Sequence, residues 1–189
     1  MSDHWVFGYG SLMWRPGFAF AERAPARLRG LHRALCVYSH VHRGTPDCPG
    51  LVLGLDRGGS CRGMAFRVDK ADWEETVAYL RAREQVTMVY RETSRQVDLE
   101  DGSKRRVPAL CYVVDRAHPQ YAGDLPLEQK LRCVLNGVGR GGPNPEYVFN
   151  TLDHLEEMGI SDPGLEELGR ALREKGAPSG SDPASDTLV

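Results

Sequence analysis

Trp5-Val6-Phe7-Gly8-Tyr9-Gly10-Ser11-Leu12 opens the chain as an apolar run that breaks at glycine. An apolar run of this length bounded by glycine reads as a buried strand. Glycines at 8 and 10 let the backbone leave a sheet sharply. A strand ending this way leaves N–H groups without a ladder partner, and such donors can hold a carbonyl oxygen as negative charge develops on it. Read alone, the same residues are also an ordinary strand followed by a turn.

Working outward, Leu31 to Ser39, Leu51 to Leu55 and Cys61 to Val68 are short strand-like runs, the last entered through Gly58-Gly59. The turn-rich Gly44-Thr45-Pro46 and Pro49-Gly50 separate the first two. Asp69 reads as the cap of a helix over 71–83, with Trp73, Val77 and Leu80 on one face. Val86 to Leu99 and Val107 to Val114 form a long hairpin around Asp101-Gly102. The last third is helical. Leu127, Leu131 and Leu135 make one stripe closed by Gly137. A second helix has Asn144 as cap, Pro145 in its first position and Gly159 as its stop. A third follows Asp162-Pro163 and carries Leu165, Leu168 and Leu172. Strands first and helices later predict an α+β fold whose sheet curls into a small barrel. The domain is expected to run over 1–174, with a Gly-, Ser-, Pro- and Asp-rich disordered tail over 175–189.

The 189 residues suffice for one substantial core. A net charge of −2 and the lack of a basic patch with interleaved aromatics exclude a nucleic-acid partner. No apolar stretch approaches membrane-spanning length, and the N-terminus lacks the pattern of a signal peptide, so no membrane is expected and the location is cytoplasmic. The five cysteines are odd in number and form no C-x-x-C pair, which reads as reduced thiols serving as packing residues.

Glu84 continues the face of Trp73, Val77 and Leu80. A carboxylate pointing inward from that face has its pKa raised by desolvation and suits acid–base work near neutral pH. A frayed helix end would instead leave Glu84 at the surface, paired with Arg83. Gly139-Arg140-Gly141-Gly142-Pro143 runs into a helix start and can present N–H groups to an anion, but it matches no P-loop and follows no clear strand. A connecting loop satisfies it equally. His40 and His42 alternate as metal ligands do, without a third ligand at a diagnostic spacing. Ser11 lies outside any G-x-S-x-G pattern and has no identifiable base.

In this order the pieces resemble the ChaC-like γ-glutamylcyclotransferases, the glutathione-specific branch of their superfamily. The likeness runs through Val6-Phe7-Gly8-Tyr9-Gly10-Ser11-Leu12 with Trp14 and Pro16, His42-Arg43-Gly44-Thr45-Pro46, and Tyr79-Leu80-Arg81-Ala82-Arg83-Glu84. It continues in Pro126-Leu127-Glu128 and Gly142-Pro143-Asn144-Pro145-Glu146-Tyr147 and spans the chain to about Leu172. The resemblance implies a small mixed β-barrel with flanking helices. It also implies a lyase that cleaves glutathione to 5-oxoproline and cysteinylglycine. In that reaction the substrate's own α-amino group attacks its γ-carbonyl, so no enzyme nucleophile, metal or cofactor is called for.

The resemblance places the general acid and base on Glu84 and the carbonyl cradle on the backbone of Tyr9, Gly10, Ser11 and Leu12. It sets Tyr147 near the substrate and makes Arg43 a partner for a substrate carboxylate. The partner is thus a small molecule, and the oligomeric state is left open. One departure stands beside Glu84. The family usually reads Lys-Gly-Gly-Tyr there, whereas this chain has Gln85-Val86-Thr87-Met88. Another γ-glutamyl amine or peptide as substrate, or a γ-glutamyl-binding regulatory protein without turnover, therefore stay open as alternatives.

Overall fold

The computed structural model describes residues 4–177, so the tail expected from residue 175 lies almost wholly outside the described residues. Five long strands close into a barrel in the order β1-β3-β2-β4-β5. They are β1 (His4–Gly8), β2 (Glu22–Ser39), β3 (Gly50–Val68), β4 (Tyr90–Leu99) and β5 (Arg106–Val114). Helix α1 (Trp73–Glu84) precedes β4. After β5 come α2 (Leu127–Asn136), a small ribbon of β6 (Val138–Gly139) and β7 (Gly142–Pro143), α3 (Asn144–Glu157) and α4 (Pro163–Glu174). The expected α+β class with a curled sheet is what forms. Among the described residues no helix is long and apolar enough to cross a membrane.

β1 makes the barrel mixed. It pairs antiparallel with β3, Val6 opposite Phe66, and parallel with β5, Trp5 opposite Ala109. With a partner on each side, β1 is buried along Trp5-Val6-Phe7, which explains its continuous apolar run. The hairpin of β4 and β5 pairs from Tyr90–Val114 to Asp98–Arg106 around Gly102, whose φ of +85° suits a residue without Cβ.

Several boundaries differ from the sequence reading. β2 starts at Glu22, well before Leu31, because Ala24, Ala26 and Leu28 alternate inward; alanines and Pro25 carry little strand signal. The runs at 51–55 and 61–68 are one strand, with Gly58 (φ +102°) and Gly59 (φ +63°) bending the chain inside it rather than ending it. Asp69 does not cap α1; its carboxylate pairs with Arg67 at 3.3 Å, and the helix begins at Trp73. Residues 86–89 form a turn, not strand, and Val86 and Met88 are exposed. Asn144 is not the cap of α3, since its side chain is engaged elsewhere.

The chain forms two compact units. One takes Met1–Arg33 and Gly54–Asp115, the other Ala34–Leu53 and Arg116–Val189. The first buries Trp5, Phe7, Leu28, Leu55, Phe66, Leu80 and Tyr112. The second is built on Val37, Leu51, Val134, Val148, Leu155, Leu168 and Leu172. Fully burying a side chain of this size is worth about 2 kcal/mol.

Candidate active site

In the first unit, α1 buries Thr76, Leu80, Arg83 and Glu84, which share one face of a helix. Trp73 and Val77 are only half-buried, so the inward face is rotated slightly from the one expected. Glu84 is the last helical residue and is 6% exposed, which settles the two readings of its position in favour of the interior. Burial pushes its carboxyl up to about 7, and the neighbouring Arg83 guanidinium only partly offsets this. A carboxyl titrating there can both take and return a proton at neutral pH.

Arg83 ties this carboxylate to the strand-end turn. Its Nη2 donates to Ser11 Oγ at 2.7 Å, and its Nη1 donates to the Arg15 carbonyl at 2.8 Å and to Tyr79 Oη at 3.0 Å. Ser11 therefore accepts a hydrogen bond from a fixed cation. That bond removes no proton from the hydroxyl, so the side chain is not activated as a nucleophile.

Gly8 ends β1 with a close return of the chain, since a Cβ there would sit 3.0 Å from Leu12 Cβ. Gly10 leads into a single 3₁₀ turn, Ser11–Met13, in which the Met13 N–H donates to the Gly10 carbonyl at 2.9 Å. A helical turn leaves its first N–H groups without an internal acceptor. Among the described residues the N–H groups of Gly10, Ser11 and Leu12 donate to no protein acceptor. The structure thus brings together unused amide donors at Gly10 to Leu12 and a buried carboxyl at Glu84, with Arg83 linking the segments that carry them.

Arg43 and Tyr147 belong to the second unit, and they meet there. The Arg43 guanidinium lies 5.6 Å from the Tyr147 ring centroid, and its Nη1 donates to the Pro143 carbonyl at 3.3 Å. The Tyr147 hydroxyl accepts the Leu53 N–H at 3.1 Å. Asn144 beside it accepts the Leu51 N–H on Oδ1 (2.7 Å) and donates from Nδ2 to the Leu51 carbonyl (2.8 Å), replacing a strand partner for β3.

The glycine loop does not offer all its amides to an anion. Arg140 and Gly141 donate theirs to the carbonyls of Val41 and His42. His40 and His42 lie in bends rather than on one strand face, and among the described residues no group of three metal-ligating side chains forms. All five cysteines are free, and burial pushes the Cys111 thiol up to about 12.

Two buried arginines escaped the sequence reading. In the sequence Arg83 reads only as a surface partner of Glu84. Arg33, 8% exposed, donates from Nε to the Tyr9 carbonyl at 2.6 Å and from Nη2 to the Arg62 carbonyl at 2.7 Å. Its signal was present, since Arg33 alternates with the buried Leu31 and Leu35 on one face of β2. A cation on a strand's apolar face is buried only where acceptors pair with it, and here those are the Tyr9 and Arg62 carbonyls.

A closed mixed barrel followed by helices places the chain in the α+β class. Residues 4–175 match the family described as ChaC-like protein, and the chain belongs to that family. It is 37% identical over 164 residues to the glutathione-specific gamma-glutamylcyclotransferase of Escherichia coli (strain K12), covering 87% of this chain and 70% of the relative. It is 32% identical to glutathione-specific gamma-glutamylcyclotransferase 1 of Homo sapiens, over 82% and 71% of the two chains. The fold also matches the crystal structure of a yeast gamma-glutamylcyclotransferase specific to glutathione, with a TM-score of 0.82 over 92% of this chain and 97% of that one, at 22% identity.

Proposed function

We propose that this chain is a glutathione-cleaving γ-glutamylcyclotransferase whose acid–base group is Glu84. The observation that carries the mechanism is a carboxyl buried at 6% exposure and pushed up to about 7, on a helix tied through Arg83 to a turn of unused amides. The substrate α-amine is an ammonium at neutral pH, and ionised Glu84 takes its proton. The freed nitrogen attacks the γ-carbonyl carbon, and the amides of Gly10 to Leu12 hold the oxyanion that results. As the tetrahedral centre collapses, protonated Glu84 gives its proton to the leaving nitrogen and the C–N bond to the cysteinyl residue breaks. The second proton of the ring nitrogen then passes through Glu84 to the released amine, which departs as an ammonium and leaves Glu84 ionised. The products are 5-oxoproline and cysteinylglycine. The nucleophile is delivered by folding the substrate, an orientation effect.

Arg43 and Tyr147 are assigned to the substrate, Arg43 toward a carboxylate. The catalytic domain is taken as 1–174. A cytoplasmic site of action agrees with five free cysteines. The exposed Val86 and Met88 just after Glu84 favour one second reading, a leaving amine bulkier or more apolar than cysteinylglycine.

The test is to incubate the purified protein with glutathione and to quantify 5-oxoproline. Release of 5-oxoproline, lost in Glu84→Gln, is the expected result. Turnover of another γ-glutamyl amine with none from glutathione transfers the activity to that substrate. Glutathione bound but not consumed makes the chain a binding protein instead.

A further inference from the structure

Arg33 grips both ends of the strand-end turn. Its Nε donates to the Tyr9 carbonyl, while its Nη2 donates to the Arg62 carbonyl on β3 and lies 3.8 Å from Met13 Sδ. The side chain is buried, so these bonds form at low dielectric, where a charged donor acts strongly.

A trans peptide is planar, and its C=O and N–H point in opposite directions. A donor bound to the Tyr9 oxygen therefore fixes the Gly10 N–H of the same peptide to point away from Arg33. That N–H is one of the turn's unused donors. A cation on the carbonyl also draws electron density from the amide, which makes the N–H a stronger donor. A neutral side chain would supply the direction without the polarisation.

We propose that Arg33 is a positioning residue for the cyclotransferase reaction, aiming and polarising the Tyr9–Gly10 peptide so that the Gly10 N–H donates to the developing oxyanion. The inference rests on the function proposed above and selects one amide of the turn. Arg33 acts through Tyr9 and does not touch the substrate.

The experiment compares wild type with Arg33→Lys, Arg33→Gln and Arg33→Met. It measures 5-oxoproline release from glutathione and the assigned Gly10 resonance in amide ¹H–¹⁵N spectra. In Arg33→Gln and Arg33→Met, kcat falls about tenfold to a hundredfold, with KM changed by less than about threefold, because the donor serves the transition state more than the ground state. Arg33→Lys keeps the charge and recovers most of kcat. The Gly10 amide proton moves upfield in the neutral variants and less in Arg33→Lys, while the resonances of β4 and β5 stay in place. If Arg33→Met does not fold, the comparison of Lys with Gln decides the same question. A rise in KM at constant kcat, or Arg33→Lys as impaired as Arg33→Gln, overturns the proposal. A wild type that releases no 5-oxoproline overturns the function itself. An active wild type whose Gly10 resonance ignores the substitutions overturns only the role of Arg33.

Discussion

Arg83 Nε stands 3.5 Å from Glu84 Oε1, and the two side chains are 4% and 6% exposed. Among the described residues that Nε makes no hydrogen bond, so the contact is one of charge. Attraction to the guanidinium favours ionised Glu84, and desolvation opposes it more strongly. The balance leaves the carboxyl near neutrality instead of in its usual acidic range. The same guanidinium fixes Ser11, so one cation both lies against the Glu84 carboxyl and anchors the turn.

The pH profile of kcat/KM follows from that pair. It rises along a limb near pH 7 as Glu84 ionises in the free enzyme. Arg83→Met removes the charge that favours ionisation, so the limb moves to higher pH. The position of the limb can be read even where the variant lowers the overall rate. A limb that stays or moves to lower pH disconnects Glu84 from the rate.

Ser11→Ala separates a cradle from a nucleophile. The hydroxyl accepts from Arg83, and losing it leaves one buried N–H of a guanidinium without its acceptor, at a cost of about 1–3 kcal/mol in stability. Turnover stays within about tenfold of wild type, because the backbone amides remain. Removal of a true nucleophile costs on the order of a millionfold. A loss of that size in Ser11→Ala, with the fold intact, would return Ser11 to the attacking role.

The barrel is legible in the order of strand-like runs before helical stripes, and the inward Glu84 in the four-residue helical step from Leu80. What sequence missed depends on partners distant in the chain. Arg33 is buried through the Tyr9 and Arg62 carbonyls, and no local pattern names those acceptors. Asn144 looked like a cap because its neighbour is Pro145, yet its amide matches the Leu51 backbone from 93 positions away. Gly58-Gly59 looked like a strand boundary because a bend within a strand and a turn between strands use the same residues.

Asn144 tests that long-range clamp directly. It is fully buried and satisfies both backbone groups of Leu51. Asn144→Ala leaves an N–H and a C=O inside the protein without partners, which predicts a loss of roughly 2–4 kcal/mol. Asn144→Asp can still accept the N–H but sets an anion against the Leu51 carbonyl, so it recovers only part of the loss. Chemical denaturation measures both. A stability within about 0.5 kcal/mol of wild type for Asn144→Ala would show that the clamp contributes nothing beyond what water supplies.

Glu84→Gln makes opposite predictions for turnover and for stability. Glutamine cannot exchange the proton, so 5-oxoproline release falls by several orders of magnitude. For stability, the folded-state pKa of about 7 lies above the ordinary value of 4.5, so the native protein binds more protons than the unfolded chain between those values. Wild-type stability therefore falls as pH rises from about 4.5 to 7 and levels off above. Holding the charge inside at pH 8 costs on the order of 3 kcal/mol. A neutral amide of nearly the same shape avoids that cost. Glu84→Gln is then more resistant to denaturant than wild type at pH 8, and the difference shrinks toward pH 5. A variant less stable than wild type at pH 8 would mean that ionised Glu84 gains more from Arg83 than burial takes away.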